Sequence, residues 1–210
     1  MRFDLSLYVI TDRAIGKERP LDELVAAAIR GGATMIQFRE KTWTARRQVE
    51  VGRRLLAITR PAGVPLIIND RVDVALALDA DGVHLGPDDL PVADARRIVG
   101  PEKIIGASAA TAAEAVRAEA DGADYVGVGS IFATTSKPDA GDAIGPEALS
   151  QIRAAISIPI VAVGGITHAN AAEAIRAGAH GVAAISAVMG ASDVREAARR
   201  LAKAIRAARE

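Results

Sequence analysis

"ADGADYVGVG", residues 120–129, reads as the end of one element and the start of another. Ala120 closes an Ala/Glu-rich run of helical period. Gly122 can take the left-handed conformation that stops a helix, and "YVGVG" is a short apolar run of strand character. The same order of helix end, glycine and strand recurs in "GGATMIQF" (31–38), "ADGVHLG" (80–86) and "AGAHGVAAI" (177–185). Working outward from these, the strand candidates are "LYVITD" (7–12), "MIQFR" (35–39), "PLIIND" (65–70) and "GVHLG" (82–86). They continue with "KIIGAS" (103–108), "YVGVGS" (125–130), "IPIVAVG" (158–164) and "GVAAIS" (181–186). A helical stretch follows each, from "PLDELVAAAIRGG" to "DVREAARRLAKAIRAARE". Near-continuous apolar strands imply a parallel sheet with both faces covered by helices. Eight such units in 210 residues predict an α/β fold, a single (β/α)8 TIM barrel. A doubly wound open sheet is the alternative. No composition shift or long linker divides the chain, so residues 1–210 are expected to form one domain.

Composition closes several classes of function. Lys+Arg and Asp+Glu are 26 each, so the formal net charge is zero and there is no basic footprint for nucleic acid or an acidic membrane. The chain has no cysteine, which excludes disulfides, zinc–thiolate sites and a Cys nucleophile. No apolar run approaches the roughly 18 residues of a membrane span. The start, "MRFDLSLYVITD", lacks an apolar h-region, so a cytoplasmic protein is expected. A homo-oligomer remains open. Aromatic residues are only 3%, leaving the core to Ala, Val, Ile and Leu.

Barrel sites form at the C-terminal ends of strands, and those ends carry the polar residues of this chain. Gln37, Arg39 and Lys41 follow the second strand, and Asn69 and Asp70 the third. Asp88 and Asp89 follow the fourth, and Ser108 ends the fifth. Thr134, Thr135, Ser136 and Lys137 follow the sixth, in an irregular segment over 131–145. Gly164 and Gly165 follow the seventh and Ser186 ends the eighth. The glycines of "VGGI", with a short helix begun by "AVMG", suit a phosphate site. Arg39, Lys41 and Lys137 suit a highly charged anion such as diphosphate; the plainer reading is ion pairing with Glu40 or rim acids. Gln37 and Arg39 share one strand face, Ile36 and Phe38 the other. Asp70 and Asp89 match the one or two carboxylates that hold Mg²⁺ beside substrate phosphate; the plainer reading makes "NDR" and "PDDL" helix caps, with Asp88 the cap and Asp89 the ligand. His84 reads as a hydrogen-bonded core histidine. His168 reads as a helix-start residue and His180 as a surface-turn residue. The Arg/Glu run at 195–210 reads as a solvated helix face. Two phosphate sites and a metal in one mouth point to transfer onto a phosphorylated acceptor with diphosphate as leaving group.

"QFREK" (37–41), "LIINDRVDVALALDADGVHLGPDDL" (66–90), "IFATTSK" (131–137) and "IPIVAVGGI" (158–166) resemble the signature stretches of thiamine-phosphate synthases, in the family's order and over essentially the whole chain. The resemblance implies a (β/α)8 enzyme that joins a hydroxymethylpyrimidine diphosphate to a thiazole phosphate with Mg²⁺, releasing pyrophosphate. It implies that Gln37, Phe38, Arg39, Glu40, Lys41, Asn69, Ser108 and Lys137 bind the pyrimidine diphosphate, with Arg39, Lys41, Ser108 and Lys137 acting on the reacting groups. Asp70 and Asp89 would hold Mg²⁺. Thr134, Thr135, Ser136, Gly165, Ile185 and Ser186 would bind the thiazole phosphate. The implied mechanism is dissociative, with no obligatory protein nucleophile or base. Ser130 and Ala133 stand where the family usually has proline, and Phe38 where it has leucine. A related thiazole tautomerase is the nearest rival, but the ring-side histidine it requires near position 110 is Ala110.

Overall fold

The computed structural model describes residues 3–136 and 142–210. Eight parallel strands close in chain order into a barrel: β1 (Leu7–Ile10), β2 (Met35–Phe38), β3 (Leu66–Asn69), β4 (Gly82–Leu85), β5 (Ile104–Ala109), β6 (Tyr125–Val128), β7 (Ile160–Val163) and β8 (Gly181–Ala184). The helices between and after them are α1 (Leu21–Arg30), α2 (Ala45–Thr59), α3 (Val72–Leu78), α4 (Val92–Val99), α5 (Ala112–Ala120), α6 (Gly145–Ala155) and α7 (Ala171–Arg176). After β8 come the short α8 (Ser186–Met189) and α9 (Val194–Ala207). Most strands stop one or two residues before the polar end of the stretch that predicts them. Asp12, Arg39, Asp70 and Gly86 are therefore rim residues rather than strand residues.

Alternation sorts the strand residues into two cores. Leu7, Val9, Ile36, Phe38, Leu66, Ile68, Val83 and Leu85 pack outward against the helices. Tyr8, Ile10, Met35, Ile67, Ile104, Tyr125, Val161 and Ala183 fill the interior. A fully buried side chain of this size contributes roughly 1.5–3 kcal/mol, so the outer layer, which is much the larger, carries most of the stability. The amphipathic helices supply its other half. On α9, Val194, Ala198, Leu201, Ala202 and Ile205 are buried at helical spacing, while its arginines face water. Helix starts are fixed locally. Thr111 and Glu114 form a reciprocal capping box on α5, and the Asp193 carboxylate caps α9 by accepting from the Glu196 N–H at 2.9 Å.

The fourfold repeat has a structural counterpart at the N-terminal end of the barrel. The residue just before each even-numbered strand accepts a hydrogen bond from the N–H of the first residue, or in β5 the second, of the strand preceding it. Thr34 Oγ1 takes Leu7 N (3.0 Å), Asp81 Oδ2 takes Leu66 N (2.8 Å), Asp124 Oδ2 takes Ile105 N (2.8 Å) and His180 Nδ1 takes Ile160 N (3.1 Å). One copy departs from the glycine reading. Gly122 and Gly178 are left-handed, as helix stops should be, but in "ADGVHLG" it is Asp79 (φ 51°) that turns the chain. Gly82 lies within β4, where a Cβ would meet the Ile104 carbonyl oxygen at 2.1 Å.

Candidate active site

A cavity of about 440 Å³ opens at the C-terminal mouth of the barrel. On the β2–β5 side Arg39, Lys41, Asn69, Asp70, Asp89 and Ser108 line it; on the β6–β8 side Thr134, Ser136, Gly164, Gly165, Ile185 and Ser186 do. Three of the sequence-predicted clusters thus share one mouth, because each lies just past a strand end.

The charged half is internally paired. Arg39 Nη1 lies 2.9 Å from Asp12 Oδ2, with both side chains largely covered, and Lys41 Nζ lies 2.6 Å from Asp70 Oδ2. The ion-pair reading therefore holds for both cations, and it leaves both in the cavity wall. Asp70 is held in a left-handed backbone conformation (φ 63°), and its N–H donates to the His84 carbonyl at 2.8 Å. Its side chain shares a hydrogen bond with Asp89, whose Oδ2 also accepts from Gly86 N at 2.7 Å. Burial works to raise both carboxyls. Hydrogen bonds to Lys41 and Asp89 outweigh it and hold Asp70 below its ordinary value; burial and the neighbouring Asp70 keep Asp89 above it. Two hard oxygen donors drawn together beside a cationic pocket fit Mg²⁺, which takes one or two carboxylates and completes its shell with phosphate and water. Among the described residues no cluster of three or more His, Asp or Glu offers an all-protein alternative. The capping alternative fails: α3 and α4 start after Arg71 and Pro91 with no side-chain cap, while Asp70 pairs with Lys41 and Asp89 accepts from Gly86 N.

The opposite half is small and hydroxyl-rich. Ser136 Oγ donates to Ser186 Oγ at 2.9 Å, and Ser136 N donates to Thr134 Oγ1 at 3.1 Å. Gly165 sits at φ 64°, and a Cβ there would meet the carbonyl oxygens of Ala133 and Phe132 at 2.6 and 2.7 Å. Only glycine lets the β6 and β7 loops approach this closely. Without prolines at 130 and 133, the start of the long loop is tied to β7 by Ile131 N to the Val163 carbonyl (2.8 Å) and Phe132 N to the Gly164 carbonyl (3.1 Å). The helix expected after Ser186 is α8.

Four predicted site residues do not line the mouth. Phe38 points outward, edge-on to Trp43 at 6.4 Å between ring centres, since its parity is that of Ile36. Gln37 points inward but lies below the rim, 1% exposed, its Nε2 donating to the Tyr8 hydroxyl at 2.8 Å. Glu40 turns back to accept from the Thr42 N–H and hydroxyl and to face Arg13 at 3.4 Å. Thr135 is exposed outside the cavity wall. Lys137 lies outside the described residues. His84 is the reverse case. The apolar "GVHLG" suggests a core residue, but the ring is only half-buried and lines the mouth, with Nδ1 3.0 Å from the Tyr125 hydroxyl and Nε2 3.1 Å from Ser108 Oγ. Parity was the available signal: His84 is two residues from Gly82 and out of phase with the outward Val83 and Leu85.

This chain is similar to known proteins. The thiamine-phosphate synthase of Moorella thermoacetica is 58% identical over 97% of this chain and 97% of its own. That of Chloroflexus aurantiacus is 57% identical over 94% and 91%. The solved thiamine phosphate pyrophosphorylase from Pyrococcus furiosus superposes with a TM-score of 0.91 at 47% identity, covering 99% of this chain and 98% of that one. A (S)-3-O-geranylgeranylglyceryl phosphate synthase from Thermoplasma acidophilum, 18% identical with a TM-score of 0.72, shares the fold alone. Residues 7–188 match the family described as thiamine monophosphate synthase, and the chain belongs to that family.

Proposed function

We propose that this chain, acting as one catalytic domain in the cytoplasm, is a thiamine-phosphate synthase. It condenses hydroxymethylpyrimidine diphosphate with thiazole phosphate to give thiamine phosphate and pyrophosphate. The observation that carries the reading is the division of one cavity into a cation–carboxylate half and a glycine–hydroxyl half. The first suits a diphosphate and the second a phosphomonoester. Arg39, Lys41, Asn69, Ser108 and, by resemblance, Lys137 would hold the diphosphate of the first substrate. Thr134, Ser136, Gly165, Ile185 and Ser186 would hold the thiazole phosphate. Asp70 and Asp89 would hold Mg²⁺, whose charge would offset that of the departing diphosphate.

Chemistry then needs no protein nucleophile. The bond from the pyrimidine methylene to diphosphate oxygen breaks, and the methylene cation is captured by the thiazole nitrogen. The donors on the β2–β5 side stabilise charge that grows on the leaving oxygen, and the shared cavity keeps the second reactant within reach. Phe38, Glu40 and Thr135 support the site from outside it, and Gln37 from beneath.

The test is pyrophosphate release by the purified protein with both substrates and Mg²⁺, and with each omitted in turn. Release that needs all three, matched mole for mole by thiamine phosphate, is expected. Binding of thiazole phosphate without release would overturn the reading in favour of a tautomerase or a sensor.

A further inference from the structure

Beneath the mouth a chain of hydrogen bonds runs through the barrel interior. Gln37 Nε2 meets the Tyr8 hydroxyl at 2.8 Å, Tyr8 the Tyr125 hydroxyl at 2.9 Å, and Tyr125 the His84 Nδ1 at 3.0 Å. His84 Nε2 then meets Ser108 Oγ at 3.1 Å. His84 and Ser108 line the cavity, and of these Ser108 is exposed. The space for it is built in. A Cβ on Gly106 would lie 2.1 Å from the Tyr125 ring and 2.6 Å from His84 Nδ1, and one on Gly127 would lie 3.1 Å from His84 Cε1.

Such a chain has a direction. An amide nitrogen only donates, so Tyr8 oxygen accepts from Gln37. The Tyr8 hydroxyl then donates to the Tyr125 oxygen, and the Tyr125 hydroxyl to His84 Nδ1. The reverse order would leave the buried Tyr8 hydroxyl hydrogen with no acceptor, at a cost of roughly 1–3 kcal/mol. Turning the Gln37 amide over does not escape this. Oε1 is buried without a partner, and Nε2 in its place would be an orphaned donor, which interiors tolerate less well than an underused carbonyl oxygen. Burial also pushes both phenols well up, so both stay protonated and remain hydrogen-bond donors.

We infer that Gln37, Tyr8 and Tyr125 act as positioning residues that hold His84 in its Nε2–H tautomer and thereby make Ser108 a hydrogen-bond donor toward the mouth. Ser108 Oγ accepts from His84 Nε2–H, so its own hydrogen points at the substrate. With the chain reversed, Ser108 would spend that hydrogen on His84 and face the substrate with lone pairs. A donor stabilises an anionic leaving oxygen, and a lone pair repels it. The kinetic half of this inference rests on the diphosphate-transfer reading. The tautomer does not, because it can be read in the ligand-free protein.

The experiment is two-bond ¹H–¹⁵N correlation of imidazole-labelled protein, with His84→Gln identifying its signals among the three histidines. Wild type is expected to show bare Nδ1 and protonated Nε2 at His84. Tyr125→Phe should average the two tautomers and lower kcat about tenfold, less than outright loss of a donor, with KM values within about threefold. Tyr8→Phe should do the same to a lesser degree. An Nδ1–H or averaged His84 in wild type overturns the inference, whether or not the variants fold. So does a Tyr125→Phe protein that keeps both the single tautomer and the full kcat. A correct tautomer in a protein that releases no pyrophosphate would overturn the proposed function and leave the positioning chain standing.

Discussion

At the residue scale, chemical type was legible, and direction was legible where strand parity was followed. Arg39, Lys41, Asn69, Asp70, Asp89 and Ser108 stand out because nothing in a buried strand requires them, and all line the cavity. Parity puts Phe38 on the side of Ile36, and the structure has it facing the helices, although the resemblance counts it among the binding residues; His84 is misplaced, because the apolar "GVHLG" reads as core while the ring lines the mouth. Asp89 shows how much is decided by a partner. Its carboxyl accepts from Gly86 N–H and faces Asp70, and neither it nor Asp88 caps α4, which starts after Pro91. Asp89→Ala should raise the Mg²⁺ concentration needed for half-maximal turnover roughly tenfold or more, since even indirect partners of a metal are worth 10–100-fold. A Mg²⁺ titration of pyrophosphate release checks it, and an unchanged midpoint would remove Asp89 from the ligand set.

At the element scale, the strands and helices were legible because the period changes from two to 3.6 along the chain. The reason for the glycines inside strands was not. Gly82 reads both as a helix stop and as the first residue of a strand, and only the second holds, because a stop and a close approach both select the absence of a Cβ. Gly106 is the most consequential, since it clears the ground on which β4 and β6 bring His84 and Tyr125 together. Gly106→Ala should destabilise the protein by about 1–3 kcal/mol through overpacking, read from the urea midpoint. It should also lower kcat by separating His84 from Tyr125. A variant with an unchanged midpoint would mean that the interior of β5 yields more easily than the 2.1 Å approach implies.

At the scale of the whole molecule, the four acceptors at the N-terminal end make a pH prediction. His180 alone among them titrates near neutrality, and protonating Nδ1 forfeits its bond from Ile160 N. Burial, with Arg153 and Arg209 nearby, lowers its pKa in the folded protein. Protons are then bound more readily by the unfolded chain, so this contribution to stability is full above the ordinary histidine value and is lost as pH falls through the lowered one. Thermal melts should therefore show Tm falling below about pH 6.5, and His180→Asp, which copies Asp81 and Asp124, should flatten that fall. Equal slopes in both proteins would place the sensitivity elsewhere. The sequence by itself determined the strands and helices, their order and the polar residues at strand ends, because hydrophobic periodicity and burial act locally along the chain. Only the tertiary structure decided which of those residues meet. The Asp70–Asp89 pair, the two halves of the cavity and the hydrogen-bond chain from Gln37 to Ser108 join residues from different strands, and closure of the barrel, which no local pattern encodes, sets their register.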